Sequence, residues 1–257
     1  MKPLTVKEIK EHLQTVKDEK DPFIEQCKKD ERKSVQTLIT AWLKKNERLL
    51  AMREEWRMMT SFERSLRERG FQWIAGIDEA GRGPLAGPVV AAAVILKEDC
   101  EMLGLTDSKK LSKQKREDYY SYIMEEALAV GIGIADAGEI DELNIYEASK
   151  AAMVKAVEAL AATATPDYLL IDAMSLPIHT KQSSIIKGDA KSASIAAGAC
   201  IAKVTRDRLM DEYAEKYPLY GFDKHKGYGT KEHLAALAKY GPSPIHRRSF
   251  APVKDYQ

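Results

Sequence analysis

Cysteine is scarce in this chain: Cys27, Cys100 and Cys200 stand far apart, with no C-x-x-C pair. An odd number of distant thiols suits reduced side chains in a cytoplasmic protein and excludes a disulfide framework or a zinc cage. Long apolar runs are missing too. The longest charge-free stretch of the core region, residues 84–96, is 13 residues, short of the roughly 18 that a bilayer span needs. The first residues, MKPLTVKEIKEHLQ, are charged where a secretory signal would place its apolar centre, which argues against export. A surplus of either charge is lacking as well, since 40 Lys and Arg face 39 Asp and Glu. With 44% hydrophobic residues against 15 Gly and 10 Pro, the chain has enough apolar material for a core, which excludes disordered, collagen-like and mucin-like classes.

Glycine is almost absent from residues 1–70, where only Gly70 occurs among 17 Lys and Arg and 13 Asp and Glu. That composition predicts a solvated helical extension. A first helix is expected near residues 5–19. Asp21 before Pro22 reads as an N-cap with proline in the first turn of a second. Val35, Leu38, Ile39, Trp42 and Leu43 repeat at helical spacing, and Leu49, Leu50, Trp56, Met59 and Phe62 extend the stripe that would dock the extension. Its net of +4 would add affinity for a polyanion. From Phe71 the texture changes. Strands are expected at 72–77, 89–96, 130–135, 168–171 and 183–186, and helices at 113–128, 144–161 and 192–216. This mixture predicts an α/β domain over 71–257. Residues 71–202 carry a net of −7 and 203–257 a net of +4, so the first part suits a metal and the second suits phosphate.

The segment 76–88, GIDEAGRGPLAGP, sets Asp78 and Glu79 at the end of an apolar strand, followed by three glycines. Neighbours on a regular strand face opposite ways and cannot both reach one ion. The chain is therefore expected to leave the strand at Glu79, with Gly81 and Gly83 allowing a ligand close to the main chain. Asp172 closes the apolar run DYLLID, where an acid needs a partner or a ligand. Asp189 follows Gly188 and precedes the small residues Ala193, Ser194, Ala196, Ala197, Gly198 and Ala199, which would let a helix pack close to the sheet. Carboxylates without nearby His or Cys select hard cations, Mg²⁺ or Mn²⁺. One or two such ions commonly serve phosphoryl chemistry.

The same glycines permit a dinucleotide-binding reading, with Glu98 or Asp99 as the ribose acid. Pro84, Pro88 and a strand-like run at 89–96 stand against it. Late in the chain YGFDKHKGYGT interleaves Lys224, His225 and Lys226 with Phe222 and Tyr228, and PIHRRSF adds His246, Arg247 and Arg248. Basic groups meet phosphate while aromatic rings stack on sugar or base. DSKKLS at 107–112 is a third lysine-bearing loop.

The runs GIDEAGRGPLAGPVVAAAVIL, DSKKLS, LLIDAM, KGDAKSASIAAGACIAKVTRDRLM, HKGYGTKEH and PIHRRSF closely resemble the bacterial ribonuclease HII family, in order from Trp73 to Val253. The resemblance implies a ribonuclease H-like mixed sheet flanked by helices, with an N-terminal helical extension too short and too charged for the larger N-terminal domain of ribonuclease HIII. It implies an endonuclease that hydrolyses the RNA strand of RNA/DNA hybrids and cuts at ribonucleotides embedded in duplex DNA. Catalysis and metal binding would fall to Asp78, Glu79, Asp172 and Asp189. The backbone of Gly81, Arg82 and Gly83 would read the 2′-hydroxyl that separates RNA from DNA, and Tyr228 would stack at the junction. Lys226, Arg247 and Arg248 are expected to add phosphate contacts. A monomer without a membrane partner is expected, and the few residues after Phe250 leave little room for a sliding-clamp peptide. A non-cleaving hybrid-binding module is the alternative, which intact carboxylates disfavour.

Overall fold

The structure, a computed structural model, describes residues 4–106, 108 and 111–256. Of the expected loop at 107–112, Asp107, Lys109 and Lys110 lie outside the described residues. The chain forms two compact units, Met1–Arg57 and Met58–Gln257.

The first unit contains helices α1 (Val6–Thr15) and α2 (Pro22–Lys28) and most of α3 (Lys33–Met59). Thr5 and Glu8 form a capping box at the start of α1. Asp21 caps α2 by accepting the Phe23 N–H at 2.8 Å, with Pro22 in the first turn. Ile9, Leu13, Phe23, Ile24, Cys27, Val35 and Ile39 make the core, flanked by Leu38, Trp42 and Leu43. The expected stripe fails beyond that point: Leu50 and Phe62 are exposed, while Trp56 and Met59 are buried.

The second unit begins with α4 (Ser61–Glu68), followed by β1 (Ile74–Ala80), β2 (Val89–Ile95), α5 (Lys113–Glu126), β3 (Ala129–Ala135), α6 (Ala137–Leu143) and α7 (Ile145–Ala161). Then come β4 (Tyr168–Asp172), β5 (Lys181–Ile185), α8 (Ala193–Lys216), α9 (Phe222–His225) and α10 (Lys231–Tyr240). Within this unit α4 packs against the sheet and α8. Its Leu66 packs with Ile74, Tyr168, Leu170, Ile185 and Ile195, and its buried Glu63 bonds to Ser192 and Ser194.

Among the described residues the sheet has the order β3-β2-β1-β4-β5. It is mixed: β1 pairs antiparallel with β2 and parallel with β4. Alternation puts Ala75, Ile77, Val89, Ala91 and Ala93 on the face that packs with Ala152, Met153, Ala156 and Leu160 of α7. On the other face α8 lies unusually close to β1, since a Cβ added to Gly76 would sit 2.0 Å from the Ser194 carbonyl carbon. The small residues of α8 permit that approach. The segment after the glycine loop is β2, not a helix, so the dinucleotide reading fails on topology.

Candidate active site

The parallel register of β1 and β4 ends at Ile77 opposite Ile171. One residue further, Asp78 and Asp172 are lateral neighbours on adjacent strands about 4.8 Å apart, and by alternation both face α8. Asp189 sits in the short 3-10 turn Gly188–Ala190 just before α8. The acids thus gather at the carboxyl ends of parallel strands, where open α/β sheets bind ligands. Two backbone outliers flank them: Ala173 has φ 49° and Lys187 φ 58°, left-handed values that non-glycine residues hold only under constraint. The Asp172 carboxylate accepts the Gly188 N–H at 2.7 Å, which ties β4 to the turn carrying Asp189.

The chain does not leave the strand at Glu79 as expected. Pairing continues through Glu79 opposite Ala91 and Ala80 opposite Val90, and the departure comes at Gly81, whose φ of 100° requires glycine. Asp78 Oδ1 accepts the Glu79 N–H at 2.7 Å, and Arg82 Nη1 lies 3.4 Å from Glu79 Oε1. Burial raises the Asp78 carboxyl well above the usual range, and the charges of Glu79, Asp172 and Asp189 raise it further. Glu79 is raised by burial against the opposing pull of Arg82. Glu79 Oε2 is buried without a hydrogen-bond partner. Among the described residues no three such side chains already form a closed metal cage. The donor set is nevertheless all oxygen, crowded and short of positive charge, which fits a hard divalent cation.

The glycine loop follows β1 directly, and Tyr228 adjoins that loop. A Cβ on Gly83 would stand 3.7 Å from Tyr228 Cε1, and the Tyr228 ring is exposed. Arg247, expected on phosphate, is instead fully buried. Its guanidinium donates to the carbonyls of Gly87 at 3.0 Å, Arg82 at 2.8 Å and Gly81, and it packs over the Phe250 ring. Arg206, which the sequence reading passed over, is buried beside it. It donates to the carbonyls of Pro88 at 2.9 Å, Lys226 at 3.0 Å and Ala86 at 3.1 Å. Burial lowers Arg206 to about 10 and Arg247 to about 9, so both stay charged at neutral pH. The Lys226 ammonium, expected on phosphate, pairs with Asp211. Arg248 and Lys224 are exposed.

Phe222 is core, not a stacking surface, and the histidines expected in the basic patch are buried. Their hydrogen bonds fix neutral tautomers, because a carbonyl only accepts. His233 Nδ1–H donates to Tyr228 O at 3.0 Å, so its Nε2 accepts from His246 Nε2–H at 3.0 Å. His246 Nδ1 in turn accepts from the Ser243 N–H at 2.9 Å. His225 Nε2–H donates to Tyr220 O at 2.8 Å while its Nδ1 accepts from the Gly227 N–H. Burial lowers His233, and burial with the neighbouring His233 lowers His246 to about 4. Through His233 these rings anchor the backbone of Tyr228.

The mixed sheet, its acids at the ends of β1 and β4 and the adjoining loop define a nuclease of the ribonuclease H-like class. The family model described as ribonuclease HII matches residues 75–253, and one described as the ribonuclease HII N-terminal domain matches residues 5–67. Ribonuclease HII of Bacillus licheniformis is 87% identical over 257 residues, 100% of both chains, and that of Bacillus subtilis is 68% identical with the same coverage. The crystal structure of ribonuclease H2 from Pyrococcus horikoshii superposes with a TM-score of 0.62 at 28% identity, over 72% of this chain and 97% of that one. The chain belongs to the ribonuclease HII family and is an endoribonuclease acting on RNA/DNA hybrids. Among the described residues no helix is long and apolar enough to cross a membrane.

Proposed function

We propose that this chain cuts on the 5′ side of a ribonucleotide, both in RNA/DNA hybrids and at single ribonucleotides embedded in duplex DNA, leaving a 5′-phosphate and a 3′-hydroxyl. Such cleavage serves ribonucleotide excision and RNA primer removal in the cytoplasm, and the chain acts on these duplexes as a monomer. The observation that carries this reading is the proximity of Gly83 to Tyr228, Gly83 lying in the loop that directly follows the strand bearing Asp78.

Asp78, Glu79, Asp172 and Asp189 would hold one or two Mg²⁺ or Mn²⁺ ions, Glu79 joining the group although it stays in the strand, since Asp78 and Asp172 both act on its carboxyl. A bound divalent ion supplies charge to the scissile phosphate and a more acidic water. Asp78 and Asp172 hold their carboxylates on one face of adjacent strands, and the bond from Gly188 fixes Asp172 in rotation. Arg82 balances part of the charge of Glu79. The backbone of Gly81, Arg82 and Gly83 reads the 2′-hydroxyl, and Tyr228 stacks on the neighbouring sugar or base, so the sugar at the junction sets the position of the cut. Arg248 contacts phosphate without regard to sequence.

The test is incubation with an end-labelled duplex containing one ribonucleotide, in Mg²⁺, in Mn²⁺ and in chelator. The reading expects one cut on the 5′ side of the ribonucleotide with either ion and none in chelator. Cleavage of the all-DNA duplex at a comparable rate would overturn it.

A further inference from the structure

Among the described residues Arg206 and Arg247 are the two largest fully buried side chains, 1% and 0% exposed. Among the described residues neither forms an ion pair. A buried charge without a counter-ion is expensive unless its donors are satisfied, and here carbonyl oxygens satisfy them: Gly81, Arg82 and Gly87 for Arg247, and Ala86, Pro88 and Lys226 for Arg206. In a trans peptide the C=O and the following N–H point opposite ways. With the carbonyls of Gly81 and Arg82 turned inward onto one guanidinium, the N–H groups of Arg82 and Gly83 turn away from it. Among the described residues neither of these N–H groups has a hydrogen-bond partner. Two successive unpaired N–H groups turned away from one guanidinium can both donate to an oxygen. The bond from Arg206 to Lys226 O ties this loop to the segment leading to Tyr228.

We propose that Arg247 and Arg206 are positioning residues for ribose recognition: Arg247 orients the peptide planes that present the Arg82 and Gly83 N–H groups, and Arg206 holds that loop in register with Tyr228. The inference rests on the reading above that this loop recognises the 2′-hydroxyl. Lysine cannot replace either side chain, because a single ammonium cannot span three carbonyls in a planar fork.

The experiment is steady-state kinetics of the full chain in Mg²⁺ on a duplex with one ribonucleotide, with the all-DNA duplex as competitive inhibitor. Arg247→Lys is expected to raise KM about tenfold while Ki for the all-DNA duplex changes less than about twofold, as the loss of about one hydrogen bond to the ribose alone. A merely structural role would lower the melting temperature and the active fraction, so kcat would fall with KM and Ki unchanged. That result, or a parallel rise of KM and Ki, overturns the proposal. Should Arg247→Lys fail to unfold cooperatively, Arg206→Lys is read in the same way. It leaves the bonds to Gly81 and Arg82 in place, and an unchanged KM-to-Ki ratio in that variant also overturns the proposal. Gly83→Pro removes one of the two N–H groups and separates the two levels of the argument. If it raises the ratio while both lysine variants do not, the arginine assignment alone falls. If it leaves the ratio untouched, the loop is not the ribose reader and the assignment falls with that reading.

Discussion

Replacing Glu63 should damage the active-site side of the sheet from a residue outside it. Its Oε1 accepts three buried donors: Ser192 Oγ at 2.6 Å, Ser194 Oγ at 2.6 Å and the Ser194 N–H at 2.9 Å. Ser192 is the N-cap of α8, and its N–H bonds back to Gly188 O in the turn that carries Asp189. Glu63→Ala leaves those donors without an acceptor, at about 1–3 kcal/mol for each buried group. Ser192 Oγ and Ser194 Oγ lie 3.2 Å apart and can pair in part, which brings the expected total to about 3–6 kcal/mol. For a chain of this size that corresponds to a fall in melting temperature of roughly 6–24 °C. Thermal unfolding of Glu63→Ala, Ser194→Ala and the double variant checks it, with the double variant losing clearly less than the sum of the singles. A melting temperature for Glu63→Ala within about 2 °C of the parent would refute the reasoning. The same contacts predict that a chain starting at Met58 melts higher than one starting at Phe71, which also lacks Leu66 and its packing, a loss of about 2–5 kcal/mol for a buried leucine.

Acid should destabilise the fold through the buried histidines. His246 titrates near 4 when folded, with His233 also lowered, against about 6.5 when unfolded. The unfolded chain therefore binds more protons between those values, and stability falls as pH drops from about 6.5 to 4, by about 3 kcal/mol for His246. Melting curves across that range should be flatter for His246→Gln than for the parent, and equal slopes would contradict the assignment. Arg248→Ala should weaken binding to all-DNA and hybrid duplexes alike and reduce the salt slope by about one ion. A loss confined to hybrids would instead place Arg248 in ribose recognition.

The strands and helix caps were legible because local signals set them. Asp21 and Pro22 opened α2, Ser192 capped α8, and the acids stood at strand ends. The meeting of Asp78 with Asp172 could be suspected from apolar runs ending in Asp, but it depends on a parallel register between segments far apart in sequence. The misreadings were of burial. PIHRRSF reads as a solvated basic loop, yet Arg247 lies inside because carbonyls of the glycine loop turn toward it, and His246 because its ring bonds to His233 and Ser243. Arg206 carried a usable signal, since Ala199, Ala202, Arg206 and Met210 share one buried helical stripe. Glu63 carried a similar one between Met59 and Leu66, both buried. A charged residue on an apolar stripe is a candidate for buried hydrogen bonding, a sign that charge counting obscures.

Single-turnover cleavage of a duplex carrying one ribonucleotide, by the parent, Asp78→Asn and Asp172→Asn at saturating enzyme, tests most directly that these neighbouring carboxylates form the hydrolytic centre. Both variants should bind the duplex as the parent does. Each should cleave about 10³-fold more slowly, the loss of several kcal/mol of charge stabilisation. Cleavage by Asp78→Asn within about tenfold of the parent, a barrier change of only about 1.4 kcal/mol, would contradict the account.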